Sequence, residues 1–179
     1  MPFDFEILYF IQENIVNPVL SYIMIFASTI GEYGFVWVFT AIALVFFKKT
    51  RACGALMLCA LIFCLVSGEL VTKNLVCRMR PCYQDMTINM LVNRPDSYSF
   101  PSGHTASSFT SASTIFYFNK KAGVLALALA SLIAFSRMYL FVHFPTDVLA
   151  GALLGILGAI IVVLVYRKYF ATRRKELSK

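Results

Sequence analysis

What this chain of 179 residues lacks narrows its class. It has no internal repeat and no low-complexity linker, so one domain spanning residues 1–179 is expected. Its five cysteines follow no zinc pattern, because no second cysteine or histidine pair accompanies Cys77 and Cys82. Carboxylates form no cluster along the chain. The start, Met1 to Glu13, is acidic and lacks the basic region of a cleavable signal; it reads as a short interfacial helix leading into the first span. Histidine is scarcest among the chemically versatile residues, with two copies.

Apolar residues are abundant. They make up 59% of the chain, with a mean hydropathy of +0.75, against about half in a soluble domain. The excess falls in runs whose lengths match a bilayer, which a helix crosses with roughly 17–25 apolar residues. The pattern predicts an all-α, polytopic membrane protein built as a six-helix transmembrane bundle. Its spans are Val16–Ile30, Tyr33–Phe47, Ala52–Leu75, Gly103–Phe118, Ala122–Val142 and Pro145–Tyr166. A single long polar interval, from Val76 to Pro101, separates the third from the fourth.

The net charge of +7 is distributed in a way that argues against a nucleic-acid partner. Lys48, Lys49, Arg51, Lys120, Lys121, Arg167, Lys168, Arg173, Arg174, Lys175 and Lys179 gather at two turns and the tail. Basic loop residues resist translocation, so these eleven of the sixteen are expected on the cytoplasmic side of a cell membrane. The other five, Lys73, Arg78, Arg80, Arg94 and Arg137, fall at the opposite ends of spans or in the long loop and need a separate reason.

Three segments supply that reason. Lys73 through Arg80-Pro81 closes the third span, Pro101-Ser102-Gly103-His104 opens the fourth, and Ser136-Arg137 with His143 and Asp147 bridges the fifth and sixth. The charge-derived topology brings all three to the extracytoplasmic face. Ionisable groups at membrane depth cost roughly 2.5–3.5 kcal/mol each on insertion scales, so a cluster of them points to function. Lys73, Arg80 and Arg137 give three fixed positive charges, Ser102 a hydroxyl, and Gly103 close access to backbone N–H groups at a helix start. The set suits a phosphoryl group. Either histidine can act as nucleophile on chemistry alone; Asp147, four residues after His143, favours His143, leaving His104 as the acid.

In this order and spacing, K-x6-R-P, P-S-G-H and S-R-x5-H-x3-D resemble the three-part signature of the type 2 phosphatidic acid phosphatase family, in its membrane lipid phosphatase branch. The resemblance runs from Lys73 to Asp147 without departure, and the six-span layout extends it over nearly the whole chain. It implies a hydrolase with Lys73, Arg80, Ser102, Gly103 and Arg137 as phosphate ligands, His104 as leaving-group acid, and His143 as nucleophile paired with Asp147. It also implies no metal and no cofactor. The partners expected are the bilayer and a lipid phosphate: undecaprenyl diphosphate first, then phosphatidylglycerol phosphate or phosphatidate. A membrane protein that binds or transports a lipid phosphate without cleaving it is the alternative, one that needs neither a nucleophile nor an acid.

Other residues have plainer readings. Glu69 stands one helical turn from Lys73, to orient it or to bond another helix. Arg78 and Arg94 read first as solvated loop charges and second as part of an electropositive mouth. Met86 to Val92 is apolar enough to rest on the bilayer. Cys53, Cys59 and Cys64 read as small hydrophobes, whereas Cys77 and Cys82 could bridge in an oxidising compartment. Gly151, Gly155 and Gly158 read as close-packing positions in lipid.

Overall fold

The computed structural model describes Pro2–Glu176, with side chains described for residues 3–169. The expected basic tail therefore falls in part outside the described residues: Lys179 altogether, and the side chains of Arg173, Arg174 and Lys175. Among the described residues all regular structure is helical, with no strand.

Helix α1 (Pro2–Asn14) leads to α2 (Pro18–Ile30), which Asn17 caps by accepting the Leu20 N–H, with Pro18 as the first helical residue. A 3-10 turn at Glu32–Gly34 joins α2 to α3 (Phe35–Phe46). Helix α4 (Arg51–Cys64) runs through a π-helical stretch, Leu65–Thr72, into α5 (Lys73–Val76). A short α6 (Pro81–Gln84) opens the long loop. Then follow α7 (Gly103–Phe118), α8 (Lys120–Tyr139) and α9 (Pro145–Glu176). Asn119 caps α8 by accepting the Ala122 N–H at 3.1 Å.

Helix α9 lies directly against α7. A Cβ placed on Gly151 would come within 2.6 Å of the Ser102 carbonyl oxygen, and one on Gly155 within 2.5 Å of that of Ala106. No larger residue fits either position, so these glycines set the interhelical distance as their spacing implied. Helices α3, α4, α7 and α8 close around Trp37, Ala41, Met57, Ala112, Ala130 and Ile133. The Trp37 indole donates to Ser108 Oγ at 2.9 Å and satisfies its polar edge inside this core.

Arg51–Gln84, Lys120–Tyr139 and Pro145–Tyr169 are each long and apolar enough to cross a membrane, and the protein is a multi-pass membrane protein. Their outward faces are oily. On α9, Leu149, Leu153, Leu157 and Leu164 are exposed in one stripe, a surface that hydrocarbon covers and water would not.

The first two expected spans are corrected. Six alternating spans would turn the chain back between Ile30 and Tyr33, yet α2 and the segment Glu32–Phe46 meet at a bend of 46° and are long and apolar enough to cross a membrane only together. Contacts trace the same course. Ser21 of α2 bonds the Tyr139 hydroxyl at 2.9 Å at the C-terminal end of α8, Gly31 faces Ile133, and Trp37 reaches Ser108. Near its end, Val45 lies against Gly54 at the start of α4. Tyr33 and Gly34, with φ of 49° and 68°, take up the bend. The α2–α3 pair thus forms one bent path, and with the three helices above it gives up to four segments long and apolar enough to cross a membrane. This leaves α1 at the end of the bundle opposite the basic turns, where six spans would have placed it beside them. There it packs through Leu8 and Ile11 on the residues around His143.

Cys77 and Cys82 are both free thiols, Cys77 exposed and Cys82 buried beside Leu8, Phe141 and Phe144, so no bridge joins them. Ile88, Met90 and Val92 fold onto the protein around Phe141 and Tyr139, while Met86 and Leu91 stay exposed.

Candidate active site

The eight residues singled out from the sequence converge at the end of the bundle away from the basic turns. Each arrives by a local device. The π-helical stretch takes bonds five residues long: Lys73 N–H reaches the Gly68 carbonyl, and the Thr72 hydroxyl reaches Ser67 O at 2.7 Å. It delivers Glu69 and Lys73 against the start of α7. Pro81 ends the extended run after Arg80, and Ser102 and Gly103 open α7 ahead of His104. The turn Leu140–Phe144 swings His143 under Arg80, because His143 N–H bonds back to Arg137 O at 3.2 Å. Phe141 holds a positive φ of 58° within that turn.

His143 is 2% exposed, and both ring nitrogens have neighbours. Nε2 lies 2.9 Å from Arg80 Nη1. Arginine has donors only, so Nε2 is the unprotonated nitrogen and Nδ1 carries the proton. Nδ1 faces the Ser99 hydroxyl at 3.4 Å and Asp147 Oδ2 at 3.7 Å. Ser99 donates to that same oxygen at 2.5 Å and so bridges histidine and carboxylate. Burial pushes the His143 imidazole down to about 3, against the pull of Asp147 and with help from Arg80 and Arg137. The ring is neutral at neutral pH, with a lone pair on Nε2.

Arg80 is held rigidly. It donates to Ser97 O at 2.7 Å, Ser97 Oγ at 2.9 Å and Val142 O at 2.9 Å. Arg137 donates to Ser28 Oγ from α2, while its buried Nε has no partner among the described residues. A buried donor left over in a cluster of cations is suited to an anion. Lys73 is buried and donates to both Glu69 oxygens at 2.8 and 2.7 Å, which settles Glu69 as its orienting partner. Gly103 leaves room for that carboxylate, since a Cβ there would stand 2.1 Å from Glu69 Oε1. Ser102 is buried, its hydroxyl accepting from Thr105 at 3.0 Å. His104 is only partly buried and lies against Gly31 at the α2–α3 bend.

Sequence reasoning missed Ser97, Ser99, Ser28 and Asp4, and gave Arg78 the wrong first reading. Arg78 is no solvated loop charge: it pairs with Asp147 at 2.6 Å and with Asp4 at 2.7 Å. Arg94 likewise donates to Cys82 O at 3.0 Å instead of standing free in solvent. The serines near Pro101 were a visible signal, being polar residues between a cationic motif and a helix start. Asp4 gave none.

A neutral imidazole unprotonated at Nε2, set beside three cations and a second histidine at the end of a membrane bundle, is an arrangement suited to a phosphoryl group on a membrane substrate. Comparison with known proteins gives the family. Residues 50–171 match the PAP2 superfamily, and the chain belongs to it. It is 34% identical over 154 residues to an undecaprenyl-diphosphatase of Sulfolobus acidocaldarius, an alignment covering 86% of this chain and 73% of that protein. The crystal structure of Aquifex aeolicus LpxE superposes with a TM-score of 0.79 at 29% identity, covering 89% of this chain and 93% of the other. That of a transmembrane PAP2-type phosphatidylglycerolphosphate phosphatase from Bacillus subtilis gives 0.69 at 29% identity, covering 86% and 80%. The chain is a phosphatase of the lipid phosphatase kind in this family, and its reaction class is the hydrolysis of lipid phosphates.

Proposed function

We propose that the protein hydrolyses the terminal phosphate of a membrane lipid through a phosphohistidine on His143. The observation that carries this reading is the setting of the buried His143 ring, with the Arg80 donor 2.9 Å from Nε2 and with Ser99 and Asp147 beside Nδ1, which favours the tautomer unprotonated at Nε2. The phosphoryl group enters between Lys73, Arg80 and Arg137, with Ser102 and the backbone at Gly103 completing the cradle. Nε2 attacks phosphorus while the bond to the leaving oxygen breaks, and His104 gives that oxygen its proton. Neutral His104 then takes a proton from water, the resulting hydroxyl attacks the phosphohistidine, and inorganic phosphate and free His143 result. Simple binding or transport needs neither a nucleophile nor an acid.

The favoured substrate is undecaprenyl diphosphate, supported by the undecaprenyl-diphosphatase to which the chain is similar, with phosphatidylglycerol phosphate and phosphatidate as competitors. Its leaving group would be the lipid monophosphate. We place the protein in the cell membrane as one multi-pass domain with the site on the extracytoplasmic side. Support comes from the basic turns at Lys48–Arg51 and Lys120–Lys121, which lie at the opposite end. Purified protein in detergent is expected to release phosphate from these three lipids, fastest from the diphosphate. His143→Ala is expected to lower the rate by about 10⁴-fold or more. Full activity in that variant would remove His143 from the mechanism.

A further inference from the structure

Helix α1 precedes the region that matches the family, yet it sends a buried carboxylate into the site. Asp4 is completely buried in the first turn of α1. Its Oδ2 accepts from Arg78 Nη2 at 2.7 Å and from the Thr146 hydroxyl at 2.8 Å, and its Oδ1 from the Thr146 N–H at 3.3 Å. The other arm of the same guanidinium, Arg78 Nη1, donates to Asp147 Oδ1 at 2.6 Å and to Thr146 Oγ1 at 2.7 Å. Phe144 supports the guanidinium plane at 4.0 Å, and Phe5 of α1 packs edge-on against Phe144 at 5.1 Å. Asp147 Oδ2 is meanwhile occupied by Ser99 and the Phe144 N–H at 2.5 and 2.9 Å.

The charges in this chain of contacts do not cancel. One guanidinium faces two buried carboxylates, which leaves one negative charge behind His143. Phosphorylation of Nε2 with Nδ1 still protonated makes the ring cationic, and in a buried site that charge needs a counter-ion. Without Asp4, Arg78 would neutralise Asp147 and withdraw the counter-ion. A guanidinium is also the side chain whose planar fork can hold two carboxylates at once.

We propose that Asp4 and Arg78 are positioning residues for hydrolysis: Arg78 fixes Asp147 beside His143, and Asp4 balances Arg78 so that Asp147 keeps its negative charge. The N-terminal helix is thereby a working part of the site. This inference rests on the His143 mechanism proposed above, and its test separates the two.

In the full chain in detergent, Asp4→Asn is expected to lower kcat about tenfold, with KM for the lipid phosphate within about twofold. Asp4→Glu, which keeps the charge, is expected to recover kcat to within about threefold of the parent. A parental kcat in Asp4→Asn would overturn the proposal. A loss that Asp4→Glu does not repair, or a KM rising in step with the loss, would do the same, since that is the mark of a purely structural contact. Should Asp4→Asn fail to fold, Arg78→Lys gives the reading: it keeps the cation but loses the fork, and is expected to lower kcat about tenfold at unchanged KM. A parental kcat there overturns the proposal. His143→Ala serves as the control. If it is inactive while the Asp4 and Arg78 variants match the parent, only this inference fails; if it is active, the mechanism itself fails.

Discussion

The two histidines occupy regions of opposite construction. His143 sits in a tight turn between α8 and α9, fully buried, with Arg80 on one ring nitrogen and Ser99 and Asp147 by the other. His104 starts α7, is less completely buried, and borders the bend between α2 and α3. A nucleophile gains from being locked in one tautomer and orientation, because attack needs its lone pair aimed. An acid that serves a leaving group, then a water, must meet two different partners and gains from being less tightly enclosed. The contrast supports the roles proposed for the two histidines, which in the sequence rested on Asp147 standing near His143.

The difference can be broken most strongly at His104. His104→Ala is expected to cost about 10²–10⁴-fold in turnover of lipid phosphates, the usual worth of a general acid. With an aryl phosphate, whose leaving group needs no proton, the same variant is expected to release one equivalent of phenol in a burst and then stall. Stopped-flow absorbance reads the burst, and its absence would unseat His104 from the second step. Arg80→Lys probes the other side of the contrast. It keeps the charge but loses the fork that holds Ser97, Val142 and His143, and is expected to lower kcat by roughly 10²-fold. Retention of full kcat would show that charge alone suffices there.

A smaller effect follows from burial. The His143 imidazole is near 3 in the fold and about 6.5 in an unfolded chain. Between those values the unfolded chain binds a proton that the fold refuses, so stability is complete above about pH 6.5 and falls as pH drops toward 3. Thermal unfolding in detergent at pH 7 and at pH 4.5 is expected to show a drop in Tm that is smaller in His143→Gln. Equal drops in both proteins would mean that His143 does not titrate in this window.

Much of the site was legible in the sequence because its residues lie in short motifs at helix ends, where polar groups interrupt apolar runs. The resemblance read from those motifs is borne out by the family match over residues 50–171. Helix direction was less legible. Apolar periodicity gives the length of α2 and α3 but not whether the chain turns back or bends by 46° between them. The sign available there, Gly31 and Gly34 around Tyr33, fits a hairpin and a bend equally. The π-helical stretch was hidden too, since nothing in Leu65–Thr72 forbids an ordinary helix. Pairings between distant segments, Asp4 with Arg78 and Ser28 with Arg137, depend on how the bundle closes and leave no trace in local pattern. That is also why Arg78, polar and in a loop, read as solvated.

The central claim is covalent phosphorylation of His143. Rapid alkaline quench during turnover of a terminally ³²P-labelled lipid diphosphate, followed by peptide mapping, tests it most directly. The account predicts label on the peptide bearing His143, accumulating further in His104→Ala. Label on His104 instead, or rapid turnover with no labelled protein at any time, would contradict it.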